Sequence, residues 1–311
     1  MGRGGLSGPG PGPGHDPAYE PGPGHDPAYE PGPGPRHARG LAGAVEFVDA
    51  ERVDFTECPP PPLSPEERRE VDRLWARTTA RNPATFDGPL VASLGLDRPA
   101  PGRRTVRWAR MTYRHRALRE LRPAEDVPGS VFVTVLLPTD EGLVVGRGSA
   151  ATAAPGRWTL PGGAAEPPAP GLPLDLAVLR RHAVRELAEE LGVRVPHSAP
   201  RLWAVTRQAR FGSLGFHFLA PPVPAALVRR RHAALAAAQS AYGAGCGVGP
   251  GPGPELDAIA FVSAPRTVAA PEADYLPQLL DRYFQGPRTD QPGQDRPGRD
   301  RPGRDRPGPD R

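Results

Sequence analysis

The chain has 311 residues, of which 83 are Gly or Pro, a level at which an unpatterned sequence reads as low-complexity. Because 22 of these fall in residues 1–40 and 11 in residues 286–311, the 245 residues between can bury a real core, and a wholly disordered chain is excluded. The 39 basic residues, every one an Arg, stand against 35 acidic ones for a net charge of +4, and the basic C-terminal tail alternates Arg with Asp. Nucleic-acid binding needs the charge gathered on one face or stripe, so the composition argues against it.

Residues 11–20 and 21–30 repeat the decamer PGPGHDPAYE, and the tail over 286–311 repeats a short Arg/Asp/Pro/Gly unit. Such segments bury too little apolar surface to offset the entropy of ordering, so both ends are predicted to be disordered arms. Tyr19 and Tyr29 are the aromatic side chains of the first arm, and protein partners of the arms stay undefined. The two cysteines, Cys58 and Cys246, have no CxxC or metal-ligand spacing, which suits a reducing cytoplasm. No apolar run approaches the roughly 18 residues of a membrane span, so the expectation is a cytoplasmic protein with no membrane partner.

A first block, residues 41–127, opens with a strand over Ala44–Val48. A helix is expected next, with Ser64 as N-cap, Pro65 in its first turn and Glu67 closing a capping box. Its apolar face is Val71, Leu74 and Trp75, and it must stop before Asn82-Pro83 because the residue preceding a proline leaves the helical region. A second block, residues 128–285, alternates strands and helices. Strands are expected over Ser130–Leu137, Gly142–Val145 and Arg157–Leu160, the last leading into Pro161-Gly162-Gly163. A long amphipathic helix over about 173–191 follows, with Pro173 near its start and Gly192 just past its end. Then come strands at 201–207 and 214–219, a helix near 224–241, a Gly/Pro loop over 243–254, a strand Ala258–Val262 and a helix around Tyr275–Phe284. This order predicts a sheet covered by helices, in the α/β or α+β class.

The long helix carries Arg185-Glu186-Leu187-Ala188-Glu189-Glu190-Leu191-Gly192-Val193. At 100° per residue, Leu176, Ala183, Leu187 and Leu191 form a stripe facing the core. Glu186 and Glu190 lie along its edge with Glu189 beside them, so three carboxylates share one flank. Like charges four residues apart destabilise a helix, and crowding at a core boundary raises the cost of ionisation. A divalent cation reverses both, and Mg²⁺ takes carboxylate oxygens together with substrate phosphates and water. A lone acidic flank would read as a solvated helix face; the nine-residue string, with a Gly-Gly turn placed between a strand and this helix, departs from that reading.

The string resembles the second half of the Nudix box, whose pattern is a Gly, five residues, Glu, seven residues, then Arg-Glu-aliphatic-x-Glu-Glu-x-Gly-aliphatic. Trp158-Thr159-Leu160-Pro161-Gly162-Gly163 is similar to the strand and turn that open the box. With Gly163 as the pattern's glycine, the loop before Arg185 carries eight extra residues. With Gly171 instead, the spacing is right but the required Glu becomes Ala177. The first alignment is preferred because Gly163 sits at a strand end. In both, the pattern's early Glu is missing, and Asp175 is the nearest acid.

The resemblance implies a Nudix-like α/β/α sandwich with a mixed sheet, Mg²⁺ (or Mn²⁺) as cofactor, and hydrolysis of a nucleoside diphosphate linked to another moiety. It implies Glu186 and Glu190 as metal ligands, Glu189 as a further ligand or the base that activates water, and Arg185 as the residue orienting a box glutamate. The Gly163 carbonyl and Glu255, which follows the Gly/Pro loop, are further candidate ligands. Arg147 is a candidate phosphate contact and Trp158 a candidate base stack; a solvent-facing Arg and a packing Trp are the alternatives. A thinner resemblance, in Leu74-Trp75, Asn82-Pro83-Ala84-Thr85-Phe86-Asp87-Gly88-Pro89 and Thr112-Tyr113-Arg114, is to animal UDP-glucose diphosphatases of that superfamily. It implies that Phe86, Asp87, Tyr113 or Arg114 contacts a UDP-sugar that is cut to UMP and a sugar 1-phosphate, although Arg185 is replaced in that group. ADP-ribose, dinucleotides and nucleoside triphosphates are the alternative substrates, and a non-catalytic nucleotide-binding regulator is the alternative function.

Overall fold

The computed structural model describes residues 45–83, 85–150, 152, 155–245, 254–265 and 271–286. The repeat arm, the tail beyond residue 286, Cys246 and most of the Gly/Pro loop before Glu255 lie outside the described residues. In chain order the elements are β1 (Val45–Val48), β2 (Arg52–Glu57), α1 (Pro65–Arg81), β3 (Pro89–Ala100), β4 (Arg103–Thr112), β5 (Gly129–Leu136), β6 (Pro138–Thr139), β7 (Gly142–Gly148) and β8 (Trp158–Thr159). They continue with α2 (Leu176–Leu191), β9 (Arg201–Gln208), β10 (Leu214–Leu219), α3 (Ala225–Gly245), β11 (Leu256–Val262) and α4 (Leu276–Gln285). Two 3₁₀ stretches, Tyr113–Glu120 and Ala124–Asp126, connect β4 to β5.

The expected α+β architecture is present as a mixed sheet with helices. Seven strands pair in the order β1-β9-β10-β5-β3-β4-β2, and a smaller sheet runs β11-β7-β6, with β8 on β7. The β10–β5 and β2–β4 pairs are parallel. Strands of the first block therefore continue the sheet of the second: Ala92 and Ser93 of β3 pair with Ser130 and Gly129 of β5, and β1 pairs antiparallel with β9. One core cluster takes Val91, Val106 and Trp108 from the first block together with Val131, Leu179, Leu187 and Phe216 from the second.

The local signals for α1 are met closely. Ser64 Oγ accepts the Glu67 amide while Glu67 accepts the Ser64 amide, Pro65 opens the helix, and Asn82 ends it. The start of α2 is later than expected. Asp175, in an extended conformation, accepts the Val178 amide at 2.7 Å and begins the helix at Leu176, which leaves Pro173 in the preceding loop. Gly192 closes the same helix at φ 67°, a left-handed conformation that favours glycine.

Candidate metal centre

Helix α2 lays Leu179, Ala183, Leu187 and Leu191 into the core, and each is fully buried. Glu186 and Glu190 sit 40° apart around the helix, next to that stripe, and are themselves buried at 7% and 4% exposure. Glu189 falls 100° away from Glu190 and turns outward, its side chain 61% exposed. The flank of three carboxylates thus divides into two that point inward and one at the rim. Glu255, just before β11, supplies a third carboxylate, and oxygens of Glu186, Glu190 and Glu255 lie within 4.8 Å of one another.

The Gly-Gly turn places these groups. Residues 161–165 run beside β5: Val135 donates to the Pro161 carbonyl, Val133 to that of Gly163, and Ala165 to Val131. Gly162 then donates its amide to Glu190 Oε2 at 2.7 Å. At Gly163 a Cβ atom would stand 2.7 Å from Glu186 Oε1, so only glycine lets the carboxylate approach the turn. The Gly163 carbonyl, a candidate ligand from the sequence, is engaged by the Val133 amide at 2.9 Å. The absence of a side chain, more than that carbonyl, accounts for the glycine.

Burial, then Glu255 and Glu189, pushes the Glu186 carboxyl up to about 7. Glu190 is raised well above the ordinary carboxylate value by burial and by Glu186, against the lowering contact from Gly162. Glu255 is raised by desolvation of its carboxyl and by Glu189, although the residue as a whole is exposed. Three crowded, desolvated carboxylates form an all-oxygen donor set, and a hard divalent cation such as Mg²⁺ or Mn²⁺ fits it by neutralising the repulsion.

Arg185 donates to Glu166 Oε1 at 2.8 Å and lies 3.6 Å from Glu189. Glu166, in the loop after the Gly-Gly turn, escaped the sequence reading, which found no early Glu at the expected spacing. Its position 19 residues before Arg185 carries no local signal, and only the folded loop brings it there. Asp175, the nearest acid by spacing, is occupied as the helix cap.

Glu190 and Glu255 open onto a cavity of about 500 Å³ between the two blocks of sequence. Of the recognition residues expected from the sequence, Tyr113 lines it. Arg114 and Asp87 instead bind each other, and Arg114 also reaches Asp72 on α1, a tie between helix and strand ends. Phe86 is 73% exposed, beside Gly88. The strand expected over Gly142–Val145 continues to Gly148, which puts Arg147 within β7, and its guanidinium pairs with Asp257 at 2.8 Å. Trp158 packs against the cluster of Leu160, Leu276 and Leu280. Neither of the last two lines the cavity.

Under the cavity floor lies His217, fully buried and unnoticed in the sequence. Its two ring nitrogens bond to the hydroxyls of Thr134 at 2.7 Å and Thr206 at 2.8 Å. Burial pushes it down to about 3, so it is neutral at ordinary pH, with one hydroxyl donating to the ring and the other accepting.

No family model matches the sequence, and no curated protein matches it. Among solved structures, a MutT protein from Methanosarcina mazei is similar at 17% identity, over 50% of this chain and 92% of that one, with a TM-score of 0.33. A Nudix hydrolase family member from Chromobacterium violaceum is similar at 20% identity over 50% and 77%, with a TM-score of 0.30. A bifunctional NMN adenylyltransferase/ADP-ribose pyrophosphatase from Francisella tularensis is similar at 21% over 36% and 32%, with a TM-score of 0.25.

Proposed function

We propose that this chain is a Nudix-type hydrolase, dependent on Mg²⁺ or Mn²⁺, that cleaves a nucleoside diphosphate linked to another moiety. The observation that carries this reading is the convergence of Glu186 and Glu190, on the box helix beside its Gly-Gly turn, with Glu255 from before β11, their oxygens within 4.8 Å of one another and two of the three lining a cavity. Those three residues would hold the cation, which supplies neutralisation of the diphosphate and acidification of a bound water. The overall reaction adds water across the bond between phosphorus and the bridging oxygen; the water oxygen joins one phosphorus, the bridging oxygen leaves on the other, and a proton is released.

The side chains divide this work. Glu189 stands outside the ligand cluster at its rim, where it would accept the proton of the attacking water. Arg185, bonded to Glu166 and 3.6 Å from Glu189, would help to orient Glu189 at that rim. The Gly162 amide orients Glu190 through its hydrogen bond. Tyr113 would contact the substrate from the first block, within a cytoplasmic enzyme whose substrate is a nucleotide-derived small molecule.

Within this class the UDP-sugar reading rests on the motifs of residues 74–114, and the test is a panel of UDP-sugars, ADP-ribose, dinucleotides and nucleoside triphosphates with Mg²⁺. Glu190→Gln should lower turnover of the best substrate by at least about a thousandfold and weaken Mn²⁺ binding. Glu189→Gln should lower kcat while Mn²⁺ affinity is kept. No turnover of any substrate by the parent, or equal turnover by Glu190→Gln, would exclude the catalytic reading in favour of a nucleotide-binding module.

A further inference from the structure

The 3₁₀ stretch Tyr113–Glu120 has three residues per turn, so side chains at i, i+3 and i+6 eclipse on one face. That face is Tyr113, Arg116 and Arg119, and all three line the same cavity as Glu190 and Glu255. The fully buried Leu118 anchors the stretch in the core. The two guanidiniums are held by aromatic rings, Arg116 at 4.7 Å from the Tyr113 ring centroid and Arg119 at 4.6 Å from that of Phe211. Arg210 lies 4.8 Å from the Phe211 ring as well.

These cations differ from the other arginine of the cavity. Arg157 is neutralised by Asp274 at 2.7 Å and donates to the Glu272 carbonyl. Among the described residues, neither Arg116 nor Arg119 has an ion pair with a carboxylate, and the Nε of each is buried with no acceptor. Crowding shows in Arg119, which burial, then Arg116 and Arg210, lowers to about 10. Tyr113 lines the same cavity, and its phenol is raised by burial first, with Arg116 lowering it and Glu186 and Glu255 raising it. A cation pair held on aromatic faces, partly desolvated and without counter-charge, is built to take an anion, and the guanidinium fork matches phosphate.

We propose that Arg116 and Arg119 form an anion subsite that holds a phosphoryl group of the substrate which the glutamate-bound metal does not ligate. The proposal rests on the diphosphatase reading for the source of that phosphoryl group, and its binding can be measured without metal or turnover. Inorganic pyrophosphate is titrated calorimetrically into the full chain in EDTA. Saturable binding is expected, weakened by about tenfold or more in Arg116→Gln/Arg119→Gln and largely kept in Arg116→Lys/Arg119→Lys and in Glu190→Gln. Mn²⁺ affinity should be unchanged in the Gln pair. If that pair fails to fold, Arg119→Gln alone gives the same reading with a smaller loss.

Absence of pyrophosphate binding, or equal binding by the Gln variants, overturns the subsite whether or not the chain proves to be a hydrolase. The source of the phosphoryl group is read from inhibition. Inorganic phosphate competing with substrate in the parent, and losing that effect in Arg119→Gln, places the substrate's own phosphoryl group there. Non-competitive inhibition overturns that assignment and makes the subsite one for free phosphate.

Discussion

Glu186, Glu190 and Gly163 show how narrow the tolerances at the proposed metal centre are. An added methyl at residue 163 would meet Glu186 Oε1 at 2.7 Å, so the carboxylate would have to shift from its place beside Glu190 and Glu255. Gly163→Ala is therefore expected to weaken Mn²⁺ binding by about 10–100-fold, the usual cost of disturbing a ligand's support, with little change in far-ultraviolet circular dichroism. His217 makes a separate prediction about stability. Its folded value lies near 3, below the roughly 6.5 of an exposed histidine, so below pH 6.5 the unfolded chain binds a proton that the native one does not. The stabilisation is fully present above pH 6.5 and lost as pH falls, at up to about 1.4 kcal/mol per pH unit. The raised carboxyls of Glu186, Glu190 and Glu255 work in the opposite direction over this range, gaining stability as pH falls, so the His217 contribution is the difference in slope between the parent and His217→Gln in urea unfolding between pH 7 and 5.

At the scale of elements, α1 and α2 were legible because their signals are local. A cap, a proline and an apolar stripe act within a few residues, and Ser64, Glu67, Asn82 and Gly192 do what their types predict. Asp175 was in view as the nearest acid to the box, and its structural role is the α2 cap; Asp175→Ala should cost about 1 kcal/mol in chemical denaturation. Leu187→Ala, which opens a cavity under the two glutamates, should cost about 2–5 kcal/mol and lower activity with it. The strands β2, β3 and β4 were missed. In β3, Pro89, Gly95 and Pro99 read as turn residues, and in β4 the arginines obscured a period of two in which Arg104, Val106 and Trp108 turn inward. The 3₁₀ face of Tyr113, Arg116 and Arg119 was equally hidden, since a three-residue spacing of Arg and Tyr has no meaning until the stretch is known to be 3₁₀.

At the scale of the whole molecule, the first block completes the sheet of the second. β1 covers β9, β3 covers the start of β5, and Trp108 shares a core with Leu187. Residues 128–285 expressed alone are therefore expected to lack a cooperative unfolding transition, because those edges and core faces would be bare. Removal of residues 1–40 and 287–311 should leave turnover unchanged, given a composition that cannot form a core. Thermal melts and the substrate panel on the two truncations check both expectations.

What the sequence by itself determined is what short-range order carries: the box string, the helix that presents it, the caps that end it, and the Gly-Gly turn ahead of it. These depend on spacing along one element, where 3.6-residue periodicity and backbone sterics act directly. Only the tertiary structure decided which carboxylates meet, turning Glu189 out, bringing Glu255 in from the start of β11 and pairing Glu166 with Arg185. It also joined the first block to the cavity and left Arg116 and Arg119 there without counter-charge. Those outcomes depend on through-space distances between residues from 19 positions apart (Glu166 and Arg185) to 139 apart (Arg116 and Glu255), which desolvation and charge make energetically decisive and which chain order does not encode locally.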